Sequence, residues 1–208
     1  MGLTEDAVLL CAAVERDVDE FSDLQGYDDL ALAIVDAIFS INLDYARTVA
    51  RICERCRVAF HGCGVRGARD LIAYIDNVDP SLSGVRPFTA NMTPGRNAIR
   101  KVDAVRRVAA ILGAHGIDSC EDMAAAAHDP AVRYDFHTVP GQTDVAFWYL
   151  LMLSGHSDFV KPDRRLWGYV NGAGIYPRTS FDLLTLMRET AGLLECTTRK
   201  LDHSLWSV

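Results

Sequence analysis

The chain has 208 residues, of which 50% are hydrophobic and 24% are charged, and its formal net charge at pH 7 is -7. This length and composition suit one domain, or two packed lobes, with a hydrophobic core; they exclude a disordered tail, a collagen-like rod and a low-complexity protein. Residues 1–44 contain 11 acidic side chains and one basic side chain, whereas the remainder contains 17 acidic and 20 basic side chains, a net charge of +3. The total charge argues against a nucleic-acid partner, but the mildly basic remainder allows one.

Helical periodicity predicts an all-α protein, because no pair of alternating segments predicts a sheet. The predicted helices cover 4–20, 28–40, 43–59, 67–78, 97–115, 119–127, 129–136, 142–154, 162–171, 179–196 and 199–206. Asp79-Pro80-Ser81 ends the fourth helix, and the segment 113–116 ends the fifth. Asp118 or Ser119 is the expected N-cap of the helix that follows.

The N-terminal sequence has neither a basic segment nor a long apolar run, so we expect a cytoplasmic protein with reduced cysteines. Cys53, Cys56, His61 and Cys63 lie close together in the sequence and form a conceivable metal-ligand set. Their spacing matches no common metal motif, which favours ordinary thiols on a helix. A helical interaction or metal-sensing protein stays as one alternative.

Three segments carry the candidate chemistry. Val139-Pro140-Gly141-Gln142-Thr143 forms a turn between two predicted helices. About twenty residues later, Pro162 favours the first turn of another helix, which places Asp163 at or near a helix N-terminus. Upstream, Ser40-Ile41-Asn42 ends the second predicted helix.

Together these segments resemble the helix-hairpin-helix superfamily of base-excision DNA glycosylases, which includes endonuclease III and the adenine glycosylase. The hairpin resembles the family's L-P-G-x-G-x-x-T-A motif, and the segment around Asp163 resembles its V-D-T-H-like catalytic segment. The sequence AIFSIN, ending at Asn42, is similar to the family's L-L-S-A-Q helix end. The resemblance spans roughly residues 28–175 and implies an all-α, two-lobed glycosylase fold. One lobe would cover 30–160, and the other 1–29 plus 161–208.

By this resemblance, Asp163 is the catalytic carboxylate that stabilises the positive charge developing on the sugar and orients or deprotonates water. The alternative is a carboxylate that serves only as a helix cap. Asn42 would fill the space left by a flipped-out base, unless it is only a helix-capping or turn residue. Asp36, Ser40 and Tyr45 would line the pocket for that base. The alternative for Asp36 is an exposed aspartate on an amphipathic helix.

DNA phosphates would bind to the backbone of the hairpin and to basic side chains. The predicted phosphate-binding residues are Val139, Gly141, Thr143, Arg100, Lys101, Lys161 and Arg164. For the hairpin, the alternative is a structural turn between two helices, and for the basic residues it is a solvated helix face.

The sequence departs from the family at three points. Thr143 replaces the second hairpin glycine, and Val145 occupies the position of the Schiff-base lysine of bifunctional members. The four-cysteine cluster loop is missing, so no iron–sulfur cluster or other cofactor is expected. The resemblance therefore implies a monofunctional DNA glycosylase without lyase activity, a monomer that acts on double-stranded DNA in the cytoplasm, at the nucleoid, with no membrane partner. A non-catalytic helix-hairpin-helix DNA-binding protein is the other alternative.

Overall fold

The computed structural model describes residues 3–21, 26–77 and 91–206. These ranges are mostly helical, which confirms the predicted all-α class, and their strand pairing is limited to one isolated bridge between Met92 and Arg100. The α-helices are α1 Leu3–Asp17, α2 Leu30–Phe39, α3 Ala50–Cys63, α4 Ala68–Asn77, α5 Lys101–Ala114, α6 Cys120–Ala125, α7 Pro130–His137, α8 Asp144–Leu153, α9 Arg164–Gly172, α10 Ser180–Leu193 and α11 Thr198–Leu205. The predicted break at Asp79-Pro80-Ser81 lies outside the described residues.

Side-chain caps define several helix starts. Ser119 caps α6, with its hydroxyl accepting a hydrogen bond from the Asp122 N–H while the Asp122 carboxylate accepts from the Ser119 N–H. Thr179 and Asp182 form the same reciprocal arrangement at the start of α10. Each cap satisfies backbone donors that have no partner inside the helix, which is why these residue types mark helix starts in the sequence.

The chain divides into two compact units, one formed by Met1–Gly26 with His156–Val208 and the other by Tyr27–Gly155. In the unit Tyr27–Gly155, every residue of α2 is buried, and α2 packs against α3, α4, α5, α6 and α8. The sequence LALAIVDAIF is apolar on all faces apart from one aspartate, which suits a helix surrounded by others.

In the unit that joins the two ends of the chain, α10 is the central helix. It packs against α1 and α11, and α11 also contacts α9. Leu183, Leu186 and Met187 are buried on α10. This packing brings the start of α9 next to α11, which matters for the site described below.

Two predicted helices differ from the structure at their starts. The helix predicted over 43–59 begins with a π-helical turn, Tyr45–Val49, that is capped by the Asp44 side chain before α3 starts. The helix predicted over 97–115 starts only at Lys101. The preceding residues form a loop that folds back on itself, with the Lys101 N–H donating to the Asn91 carbonyl at 2.7 Å.

No α-helix in the described ranges combines the length and the apolar composition that a bilayer crossing requires.

Candidate functional site

Asp163 is the N-cap of α9, as the proline-aspartate sequence predicts. Its Oδ1 accepts hydrogen bonds from the backbone N–H groups of Arg165 at 2.9 Å and Leu166 at 3.1 Å. Its Oδ2 has no hydrogen-bond partner among the described residues, and the side chain is only partly buried. Backbone amides at the start of α9 therefore hold one carboxylate oxygen, and the other oxygen is available to bind a substrate or a water molecule.

A second carboxylate, Asp202, lies near Asp163 and was not identified from the sequence. It belongs to α11 and is 9% exposed. Burial, together with the nearby charge of Asp163, raises the pKa of Asp202 to about 7. Nothing in the local pattern around Asp202 distinguishes it from a surface residue of an amphipathic helix.

The hairpin connects α7 to α8. Gly141 has a φ of 82°, and a Cβ atom at this position would lie 2.8 Å from both the Thr93 Cβ and the Pro94 Cδ. Both the backbone conformation and the close packing therefore require glycine. Thr143, which replaces the family's second glycine, has an extended backbone (φ -138°, ψ 176°) that any residue adopts. The replacement therefore imposes no backbone strain on the turn.

The hairpin amides differ in their ability to meet a phosphate. The N–H groups of Gly141 and Thr143 have no hydrogen-bond acceptor within the described part of the chain. Val139 is buried, and its N–H donates to the Phe136 carbonyl at 3.2 Å. The prediction that Val139 binds phosphate is wrong, because its amide is already paired and its side chain is enclosed.

The first residue of α8 adds a charge pair that the sequence analysis did not consider. The Asp144 carboxylate accepts a hydrogen bond from the Arg133 guanidinium at 2.7 Å, and the His137 Nε2 lies 3.1 Å from it. The hydrogen bond from Arg133 lowers the pKa of Asp144. Arg133 thus balances the negative charge of Asp144 at the start of α8.

Asp36 and Ser40, which lie four positions apart on one face of the second helix, are brought together with Tyr45, which follows that helix. Asp36 has no exposed surface, and its carboxylate accepts a hydrogen bond from the Ser40 hydroxyl at 2.7 Å and from the Tyr45 hydroxyl at 3.0 Å. Two further hydroxyls complete the network: Tyr27 donates at 2.8 Å and Tyr149 at 3.2 Å. Each carboxylate oxygen thus receives two donors, which fills its lone pairs.

This network has two consequences. Burial and the negative charge of Asp36 raise the pKa of the Tyr27, Tyr45 and Tyr149 hydroxyls, so these groups stay protonated and donate to the carboxylate. The alternative of an exposed Asp36 is wrong, since α2 is surrounded by other helices. Asp36 therefore orders four hydroxyls, and two of the residues that carry them, Tyr27 and Tyr45, are only partly buried.

Asn42 follows α2 with an exposed side chain and a φ of 56°, a left-handed conformation that is uncommon outside glycine. Lys101 supports this turn, because its ammonium donates to the carbonyls of Phe39, at 2.9 Å, and Ile41. Lys101 is only 1% exposed. The prediction that Lys101 binds a DNA phosphate is wrong, because its charge is buried against the end of α2.

The remaining predicted phosphate contacts lie at or near the surface. Arg100 is exposed, and its guanidinium makes two hydrogen bonds to Asp103, at 2.7 and 2.8 Å. Lys161 is partly buried beside Asp202. Arg164 is exposed and has no ion pair among the described residues.

The cysteines of α3 do not form a ligand cluster. Cys53 and Cys56 are buried, which raises the pKa of both thiols, that of Cys56 to about 12. Cys63 is exposed at the end of the helix. Within the described ranges, no group of three or more His, Cys, Asp or Glu side chains is arranged to hold a metal ion.

Comparison with known proteins places the chain in a family. No curated protein and no solved structure matches it. A family model described as a domain of unknown function, DUF8548, matches residues 5–208, which is nearly the whole chain. The protein thus belongs to the DUF8548 family.

Proposed function

We propose that this protein is a monofunctional DNA glycosylase that hydrolyses the N-glycosidic bond of a damaged or modified base flipped out of double-stranded DNA. The observation that carries the proposal is the geometry of Asp163. Two backbone amides hold one carboxylate oxygen, while the other has no partner in the described residues. This is the arrangement that a fixed catalytic carboxylate needs.

Asp163 has two roles in the proposed reaction, stabilising positive charge on the sugar and activating water. Breaking the bond between C1′ and the base builds positive charge on the sugar, which a nearby carboxylate stabilises. The base leaves with the electrons of the broken bond, the oxygen of a water molecule then forms a bond to C1′, and that water gives up a proton. Asp163 orients this water and accepts its proton.

The hairpin supports DNA as the substrate. The N–H groups of Gly141 and Thr143, which have no acceptor among the described residues, lie beside the start of α8, and Thr143 is exposed. Helix N-termini and backbone amides bind phosphate without reading sequence, which suits an enzyme that searches DNA for an unusual base. The left-handed turn at Asn42 presents an amide side chain that can enter the base stack.

Hydrolysis without lyase activity follows from the hairpin sequence. Val145 stands where bifunctional glycosylases carry an amine, so an enzyme–DNA imine cannot form at this position. Lys101 does not replace that amine, because its ammonium is buried and bonded to backbone carbonyls. Borohydride should therefore trap no covalent complex on a DNA that releases its base.

The decisive experiment is base release measured by mass spectrometry from duplexes carrying uracil, an alkylated purine, an oxidised base or a modified cytosine. Asp163→Asn should lower single-turnover release at least about 100-fold, the scale of positioned acid–base catalysis. The asparagine Oδ1 can still accept from the α9 amides, so helix capping is preserved.

Asp129→Asn is the matched control, because Asp129 caps α7 through the same type of contact, to the Ala131 N–H. Its release rate should equal that of the wild type. An unchanged rate in Asp163→Asn would contradict the proposal. DNA binding without release of any base would favour a non-catalytic helix-hairpin-helix protein.

A further inference from the structure

The segment that joins α9 to α10 exposes two large aromatic side chains. Tyr176 is 74% exposed, and Phe181, in the first turn of α10, is 62% exposed. Aromatic rings usually contribute to stability by being buried, and exposed apolar side chains are ordinary only when they are scattered singly. Two exposed rings five positions apart in the sequence therefore indicate a contact surface.

The backbone that carries these rings is held at both ends. Gly174 has a φ of 84°, and the buried Ile175 donates its N–H to the Val170 carbonyl of α9 at 3.2 Å. At the other end, Thr179 and Asp182 form the reciprocal cap of α10. The rings are thus presented on an ordered backbone, so little conformational entropy is lost when a ligand binds to them.

The charge around the rings is positive. Residues 164–181 contain three arginines and no acidic residue, although the net charge of the chain is -7. The acids on either side, Asp163 and Asp182, accept hydrogen bonds from backbone N–H groups at helix starts. Arg178 lies between the two aromatic residues in the sequence, is exposed, and has no ion pair among the described residues. The segment therefore complements a polyanion.

Exposed rings beside an unpaired arginine suit a strand of unpaired nucleotides. Every base has a π-face that can stack on an aromatic side chain, and a guanidinium binds the phosphates that link the bases. In a duplex the base faces are already stacked on one another, so these rings favour a single strand over a double strand. Such stacking does not depend on the base sequence.

We propose that Tyr176, Arg178 and Phe181 form a binding surface for single-stranded DNA, in which bases stack on the two rings and Arg178 contacts the phosphate backbone. The surface follows the end of α9, whereas Asp163 caps its start, about 14 Å away along nine helical residues. It is therefore separate from the candidate catalytic site. The choice of DNA over RNA rests on the proposed function, and the stacking and charge arguments are independent of it.

The test measures the affinity of the full chain for a fluorescently labelled oligodeoxythymidine by anisotropy. Tyr176→Ala should raise the Kd by roughly 5- to 150-fold, the effect of losing one stacked base. Tyr176→Phe keeps the ring and should bind within about twofold of the wild type. Phe181→Leu keeps an apolar side chain without a π-face and should weaken binding as Tyr176→Ala does. Full affinity in Phe181→Leu would overturn the stacking role.

The matched control is Tyr134→Ala, because Tyr134 is 73% exposed on α7, outside the proposed surface. Its affinity should equal that of the wild type, and a loss as large as that of Tyr176→Ala would overturn the assignment. Arg178→Ala should reduce the salt slope of binding by about 0.7, the value for one phosphate of a single strand. An unchanged slope would remove Arg178 from the surface.

Competing occupants are tested with three further measurements. The oligodeoxythymidine should bind more tightly than an oligouridine or a DNA duplex of equal length, and tighter binding of either competitor would overturn the choice of single-stranded DNA. The wild type and Tyr176→Ala should have the same oligomeric state in sedimentation. A dimer that Tyr176→Ala dissociates would instead assign the rings to a second copy of the chain.

This inference and the proposed function fail separately. If the oligodeoxythymidine binds through these residues but no DNA releases a base, the proposed glycosylase function fails and the binding surface stands. If a base is released but the wild type does not bind the oligodeoxythymidine, the surface is overturned and the proposed function stands.

Discussion

Hydrogen bonds to neighbouring polar groups offset the free-energy cost of burying charged side chains in this protein. Asp36 accepts from four hydroxyls, and Lys101 donates to two backbone carbonyls. Burying a charge without such partners costs several kcal/mol, or drives the group to its neutral form. Burial and the nearby charge of Asp163 raise the pKa of the buried Asp202 to about 7, so this carboxyl group changes charge near neutral pH.

The raised pKa of Asp202 predicts a fall in stability as pH rises. Between pH 3.8, the ordinary pKa of an aspartate, and about pH 7, the folded state holds a proton that the unfolded state has lost. This stabilisation is complete below pH 3.8 and is lost as pH rises through about 7. One pKa unit corresponds to about 1.4 kcal/mol, so the loss is on the order of 4 kcal/mol at most.

Urea unfolding of the wild type and Asp202→Asn at pH 5 and pH 8 measures this effect. The variant lacks the titrating carboxyl group. The free energy of unfolding of the wild type should therefore fall, relative to that of the variant, between pH 5 and pH 8. Asp17, Asp76 and Asp144 do not mimic the effect, because their ion pairs lower their pKa values. An equal difference between the two proteins at both pH values would contradict the assignment.

At the scale of the elements, glycine at the hairpin serves packing as well as backbone conformation. Gly141 combines a φ of 82° with close contact to Thr93 and Pro94. Gly116 has a φ of 75°, but a Cβ atom there would meet no atom within 4 Å. Both positions therefore favour glycine because of their left-handed backbone, and only at Gly141 would a side chain also clash with neighbouring atoms.

Gly141→Ala should lower the free energy of unfolding more than Gly116→Ala. Both variants lose about 1 kcal/mol from the left-handed backbone, and Gly141→Ala should lose a further 1–3 kcal/mol, approximately, through overpacking. Urea unfolding at one pH measures both. Equal losses would mean that the loop around Thr93 moves aside without cost.

The sequence predicted helix existence well and helix starts less well. Apolar periodicity and residues such as Ser119 and Asp163 are local signals, and they mark helices correctly in the described ranges. The start of α5 was misplaced because residues 91–101 fold into a loop closed by backbone hydrogen bonds. Such bonds depend on chain geometry and leave no pattern of side chains to detect.

For the whole molecule, the net charge of -7 makes any DNA affinity depend on a small number of exposed basic residues. Binding that releases condensed counterions weakens with salt, with a slope of about -0.9 per phosphate contact. Arg164, exposed beside Asp163, is the candidate best placed to make such a contact near the site.

Arg164→Ala should reduce the salt slope of duplex binding by about 1, measured by fluorescence anisotropy on undamaged DNA. Arg55→Ala, an exposed arginine of α3 outside the predicted contacts, has the same change in charge and should leave the slope unaltered. An equal effect of both substitutions would show that overall charge, and not a contact at Arg164, sets the affinity.

By itself, the sequence determined the helical class, most helix positions and the capping role of Asp163, because these depend on residues within a few positions of one another. It also placed Asp36 and Ser40 on one helix face. The tertiary structure decided which distant groups join them: Tyr149 reaches Asp36 across 113 positions, and Lys101 reaches Phe39 across 62. Whether a charged residue faces water or a buried partner depends on which helices pack together, and local periodicity carries no information about that choice.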